Sequence, residues 1–291
     1  MAEAVHLARP GELKRFLARH GFVLKKGLGQ NFLIDERVLD KIVEASGISE
    51  RDGVLEIGPG AGVLTQRLAA RAGKVVAVEK DAALQPLLAE SLRAFARVEV
   101  VYADVLDVDL QELWARFAGC PRVHVVANLP YYVTTPILFH ILEAAVPVNN
   151  ILVMVQKEVA DRLAAAPGRK EYGALSVMVQ YRAEVERIVS VPPSSFLPPP
   201  GVESVVVRLS CRPPRHPVRH LPDLRRVVRA AFATRRKTLA NALAGGLGWD
   251  RDETRRLLMG AGIDPDRRGE TLSLQEFVRV ADAYSERAGR G

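Results

Sequence analysis

Val54-Leu55-Glu56-Ile57-Gly58-Pro59-Gly60-Ala61-Gly62 runs from a block of apolar residues into a glycine turn, and a helical pattern over 63–71 follows at once. Strand, turn and helix in that order form the first half of a β–α–β unit. Working outward, runs rich in Val and Ile recur at 75–79, 98–104, 123–128 and 151–156, with helical patterns at 82–95, 110–117 and 135–145 between them. That alternation predicts an α/β fold with a mostly parallel sheet. Upstream, Asp35 is placed to cap a helix over 36–46, whose Val38, Leu39, Ile42 and Val43 sit at helical spacing. Downstream, 183–191 and 202–211 read as two further strands.

Residues 212–222 contain four prolines and read as a linker. Beyond it, short helical patterns at 223–233, 237–243, 252–261 and 273–283 predict a small all-helical domain. The expected division is a body over 1–212, with a leading arm over 1–24, and a tail domain over 213–291.

The 291 residues carry a net charge of +7. Residues 1–200 hold 23 basic and 23 acidic groups, whereas 201–291 hold 18 and 11. Residues 1–30 add a second basic cluster, with six cations against two anions. Clustered cations on a neutral body are the footprint of a polyanion binder. No run of about 18 apolar residues occurs, so no membrane span is expected. The start lacks the apolar core of a signal peptide. Cys120 and Cys211 lie far apart, which disfavours a disulfide framework and makes a reducing cytoplasm the default. The six histidines show no metal-ligand spacing, and no metal is expected. There is no phosphate-binding loop ending in Gly-Lys-Ser/Thr, and no nucleophile with a base partner.

Three successive strand ends carry ligand chemistry. The turn at Gly58 lets backbone approach a ligand closely. Glu79 ends the next strand, where a carboxylate can accept from both hydroxyls of a ribose. Asp104 ends the third and can accept from an adenine amine. A dinucleotide fingerprint would want a further glycine where Val63 stands, which weakens an oxidoreductase reading.

Asn128-Leu129-Pro130-Tyr131 ends the fourth strand. An exocyclic adenine amine is a poor nucleophile, because its lone pair is delocalised into the ring. The amide oxygen of Asn128 and the backbone carbonyl of Leu129 can each accept one N–H bond, which aims the lone pair outward. Pro130 stiffens the loop, and Tyr131 can stack on the base.

Together Gly29-Gln30-Asn31-Phe32-Leu33, the glycine loop, Glu79-Lys80-Asp81, Ala103-Asp104, Asn128-Leu129-Pro130-Tyr131, Gln156-Lys157-Glu158-Val159 and Pro193-Ser194-Ser195-Phe196 resemble the small-subunit (16S) ribosomal RNA adenine dimethyltransferases, the KsgA/RsmA family. The likeness runs in order over nearly the whole chain. The run from Ala231 to Leu239 is similar to that family's tail signature.

The resemblance implies a Rossmann-type class I methyltransferase with a helical C-terminal domain. It implies S-adenosylmethionine as cofactor, held by Asn31, Leu33, Gly58, Glu79, Asp104 and Asn128. It implies a second aromatic, Phe196, facing Tyr131 across the target base. Its substrate would be two adjacent adenosines in the 3′-terminal hairpin loop of small-subunit ribosomal RNA, each taking two methyl groups. Arg235, Arg236 and Lys237 are read in that context as phosphate contacts. The expected partner is the assembling small subunit, with the protein a monomer. Tyr132 stands where many relatives carry Asn. Competing readings are a large-subunit adenine methyltransferase of the resistance type, and a non-catalytic RNA-binding or transcription factor on the same fold.

Overall fold

The computed structural model describes residues 7–23, 30–130, 132–144 and 146–289. The chain divides into two compact units, one of residues 1–160 and 184–211, the other of 161–183 and 212–291.

The first unit opens with helix α1 (Pro10–Arg19), which the sequence reading passed over. Its signal was present: Pro10 at the first helical position, then Leu13, Phe16 and Leu17 on one face, all buried. Strand β1 (Phe32–Leu33) and helix α2 (Glu36–Ser46) follow. Asp35 caps α2 as expected, its Oδ1 accepting from the Arg37 and Val38 N–H groups at 3.1 and 3.4 Å. Then come β2 (Gly53–Ile57), α3 (Val63–Ala69), β3 (Lys74–Glu79), α4 (Gln85–Ser91), β4 (Val98–Tyr102), α5 (Leu110–Ala115), β5 (Val123–Asn128), α6 (Thr134–Glu143) and β6 (Asn150–Gln156). Helices α7 (Lys157–Ala164) and α8 (Ala174–Arg182) precede β7 (Ala183–Val191), β8 (Phe196–Leu197) and β9 (Ser204–Cys211).

Seven strands form one sheet in the order β4-β3-β2-β5-β6-β9-β7. The pairs from β4 to β6 are parallel, and β9 joins β6 antiparallel. Every residue of β2 is buried, as are nearly all of β3, β5 and β6. Strands covered on both faces read as unbroken apolar runs, which is why they were legible. From β2 the chain winds outward to β3 and β4, then returns to place β5 on the other side of β2. That reversal opens a crevice beyond the carboxyl ends of β2 and β5, the place where open α/β sheets bind ligands. A separate two-stranded pair, β1 with β8, sets Phe32 opposite Leu197 and Leu33 opposite Phe196.

In the second unit, α9 (Leu221–Ala233) packs on α8, α10 (Leu239–Leu247) and α12 (Leu274–Arg287), while α11 (Arg251–Gly260) lies against α10 and α12. A boundary at 212/213 had left residues 161–183 in the body, and the compact units assign them here instead. The buried Tyr172 shows why, since its hydroxyl donates to Leu272 O at 2.9 Å and its ring meets Phe232 edge-on at 5.9 Å. Helix α8 is apolar on most sides, so it shows no stripe that would have announced it as a helix. A capping box starts α12, Ser273 and Glu276 each accepting the other's backbone N–H. No described helix is long and apolar enough to cross a membrane.

Candidate active site

The glycine turn after β2 adopts the left-handed backbone that its residue type permits, with φ of +72° at Gly58, +59° at Gly60 and +87° at Gly62. A Cβ on Gly60 would stand 2.8 Å from the Phe32 ring, so the turn and β1 are packed too closely for any side chain. A Cβ on Gly58 would meet only Asn128 O, at 3.9 Å, leaving open space against the backbone of that turn.

One pocket gathers the strand tips. It is lined by Asn31, Leu33, Gly58, Glu79, Asp104 and Asn128, the six residues expected to hold a cofactor, and by Leu129. Glu79 Oε2 accepts the Gly60 N–H at 3.2 Å, and Oε1 accepts the Asp81 N–H at 2.8 Å. Each oxygen keeps a further lone pair for a hydroxyl group. Burial pushes the Glu79 carboxyl up, against the pull of those two backbone N–H groups. Asp104 takes the Lys80 ammonium on Oδ2 at 2.6 Å and the Leu106 N–H on Oδ1 at 3.0 Å. The bond from Lys80 holds its carboxyl below the usual range.

Asn128 is oriented by its neighbour across the crevice. Its Nδ2 donates to Asn31 O at 3.2 Å. A backbone carbonyl only accepts, so the amide must turn its NH2 that way and keep Oδ1 as its acceptor. The lip that supplies Asn31 is itself fixed. Ile34 N–H donates to Ser195 O at 2.9 Å, and Ser195 Oγ donates to Asp35 Oδ2 at 2.8 Å. Gln30 Nε2 donates to Asp81 Oδ2 at 3.0 Å.

Phe196, expected to face Tyr131 across the target base, sits on β8 beside the lip that carries Asn31. It is 3% exposed, packs in the body's hydrophobic core with Phe32 and Leu33, and does not line the pocket. In the two-residue strand β8 it takes the buried position and Leu197 the half-buried one. Tyr131 lies outside the described residues. Arg235, Arg236 and Lys237 are exposed in the turn between α9 and α10, rather than on a helix face. Arg235 lies 3.6 Å from Glu270 and donates to Lys170 O, whereas Arg236 and Lys237 have no ion-pair partner among the described residues.

Three other pocket residues carry no assigned role in the sequence reading, although Lys80 stands in a quoted motif and Tyr132 in a noted departure. Glu56 is 1% exposed, and its Oε2 has no hydrogen-bond partner among the described residues. Burial, against a weaker pull from the nearby Thr65 hydroxyl and helped by Glu79, pushes its carboxyl up to about 8. The signal was a charged residue inside an apolar strand. Lys80 and Tyr132 line the mouth, where Tyr132 is 59% exposed.

Comparison with known proteins gives one consistent answer. The family model for ribosomal RNA adenine dimethylase matches residues 21–285. A relative from Shouchella clausii named ribosomal RNA small subunit methyltransferase A is 52% identical, covering 95% of this chain and 95% of its own. The structure of a dimethyladenosine transferase from Plasmodium falciparum superposes with a TM-score of 0.73 at 23% identity, over 88% of this chain and 98% of that one. That of the 23S rRNA methyltransferase ErmE superposes with a TM-score of 0.64 at 27% identity, over 87% and 99%. With the family model covering most of its length, and a Rossmann-type class I methyltransferase sheet beneath it, the chain belongs to the ribosomal RNA adenine dimethylase family.

Proposed function

We propose that the protein is an S-adenosylmethionine-dependent enzyme that dimethylates the exocyclic amines of two adjacent adenosines in the 3′-terminal hairpin loop of small-subunit ribosomal RNA. It acts as a monomer on the assembling small subunit in the cytoplasm. The observation that carries the reading is the fixed amide of Asn128, whose nitrogen is committed to Asn31 O at the tip beside the glycine turn.

The donor set fits the cofactor. Glu79 presents acceptor oxygens suited to ribose hydroxyls, and Asp104 presents a carboxylate suited to an adenine amine. The open backbone at Gly58 leaves room for the amino-acid end, and the unpartnered Glu56 oxygen lies in the same pocket as a complement to positive charge. The bound cofactor would supply a methyl group already activated on a sulfonium, so the protein's task is alignment more than base strength.

Asn128 Oδ1 and the Leu129 carbonyl accept the two N–H bonds of the target amine. That grip favours a nitrogen whose lone pair has left the ring plane, and it strengthens as the nitrogen becomes tetrahedral. Leu129 is 2% exposed, so its side chain anchors the segment that carries the accepting carbonyl. Pro130 stiffens the exit from the strand, and its carbonyl is held by the Val133 N–H at 3.1 Å and Thr134 Oγ1 at 3.3 Å. Arg236 and Lys237, with Arg235, contact RNA phosphates.

The test is methyl transfer from labelled S-adenosylmethionine to under-methylated small subunits, with large subunits as the parallel acceptor, followed by mapping of the modified base. Dimethyladenosine in the small-subunit hairpin is expected. Label confined to large subunits would overturn the substrate assignment, and label on neither would overturn the activity.

A further inference from the structure

Lys80 follows Glu79 at the tip of β3, with its side chain 60% exposed and its stem lining the pocket beside Asp104. Its ammonium reaches across to the tip of β4 and donates to Asp104 Oδ2 at 2.6 Å. The other Asp104 oxygen is taken by the Leu106 N–H at 3.0 Å. Two donors from different segments therefore hold one carboxylate in one orientation. As a contribution to folding, an exposed pair of this kind is worth little. Its value to a ligand is larger. A carboxylate that must receive a donor gains affinity when its rotamer is set beforehand, because that freedom is then not lost on binding. The pair also becomes stronger when a ligand covers it and excludes water.

We propose that Lys80 is a positioning residue for the nucleobase end of the cofactor pocket, acting through a strap to Asp104 that aims the carboxylate at the adenine amine. The inference rests on the cofactor reading above. Lys80 itself is not the reader. Its ammonium has only donors, and the amine of adenine needs an acceptor, so Asp104 makes the contact and Lys80 sets it. Each carboxylate oxygen has two lone pairs, which lets Oδ2 hold the ammonium and the amine together.

Calorimetric titration of S-adenosylhomocysteine into the full chain tests this with no turnover required. Lys80→Met keeps the apolar stem and removes the charge, and Lys80→Arg restores the charge. Lys80→Met is expected to weaken binding about tenfold, and Lys80→Arg by no more than about twofold, given the strength of charge-assisted bonds. In an Asp104→Asn background, adding Lys80→Met is expected to change affinity by less than about twofold, because the residue it acts through is already altered. Unchanged affinity in Lys80→Met overturns the strap. An equal loss in both backgrounds also overturns it, since Lys80 would then act on the ligand directly. A wild-type protein that takes up no S-adenosylhomocysteine overturns the cofactor reading itself, which separates the two failures.

Discussion

The two compact units differ in charge far more than a cut at residue 212 suggests. The first holds 20 Lys+Arg against 22 Asp+Glu, and the second holds 21 against 12, a net of −2 beside a net of +9. The strand-tip pocket is lined by Glu56, Glu79, Asp81 and Asp104, with Lys80 the one cation among the described residues that line it. An acidic pocket suits a small cationic cofactor, and a strongly basic unit suits a polyanion. On the proposed reading, the cofactor's positive charge falls to the first unit and the RNA phosphates to the second, while the target base itself is gripped at Asn128 and Leu129 of the first. Changes in one are expected to leave the other's ligand alone.

The sharpest way to break that division is at Asn128. Asn128→Ala removes the acceptor that only the transition state uses fully, so the rate of methyl transfer should fall by about 10²–10³, the usual cost of one such group. Its RNA affinity should stay within about twofold of wild type, as read by filter binding. Equal activity in the variant would refute the role assigned to the amide. A parallel loss of RNA affinity would refute the separation between the units.

A smaller effect is expected from the second unit. Arg236→Ala with Lys237→Ala removes two exposed cations without an ion-pair partner among the described residues. RNA affinity at moderate salt should drop roughly tenfold, and the slope of log K against log salt should become shallower by about 1–2. Affinity for S-adenosylhomocysteine should not move. Point variants are a better probe than truncation at 213, because the buried Tyr172 depends on Leu272 and would lose its partner. An unchanged salt slope would remove this turn from the RNA-contacting surface.

Legibility followed burial. The parallel strands announced themselves as continuous Val and Ile runs, and the residue types at their tips were readable because each carries one chemistry. Asp35 and its helix were found because cap and periodicity agreed. What stayed hidden depends on partners distant in sequence. Strand β1 has two residues and exists only by pairing with β8, some 160 positions later. The same pairing turns Phe196 inward, which no local pattern could announce. Residues 161–183 join the second unit through Tyr172 and the buried faces of α8, and an evenly apolar helix gives no periodic signal. The orientation of Asn128 likewise comes from Asn31, 97 residues away.

The smallest expected effect concerns two carboxylates on one stretch of chain. Asp52 lies just before β2 and Glu56 within it, and both are almost fully buried. Burial alone would raise both. For Asp52, bonds from the Arg122 guanidinium at 3.0 and 2.8 Å and from Ser49 overcome it, lowering the carboxyl to about 2. Glu56 has no cation beside it among the described residues and stands at about 8. The sheet therefore keeps a charge at its closed end, where the charge is paired. At the pocket end it keeps a proton. Between about 4.5 and 8 the folded chain holds a proton on Glu56 that the unfolded chain has released, so this group's contribution is full below about 4.5 and is lost as pH rises through 8. Glu56→Gln removes that dependence, and its melting temperature should gain on wild type by on the order of 5 °C between pH 6 and pH 9. A cation entering the pocket would draw the same proton off. Heats of S-adenosylmethionine binding at pH 7 should then scale with the ionisation enthalpy of the buffer in wild type, and not in Glu56→Gln. Buffer-independent heats in the wild type would mean that Glu56 never faces the cofactor's charge, and the acidic character of the pocket would rest on Glu79, Asp81 and Asp104.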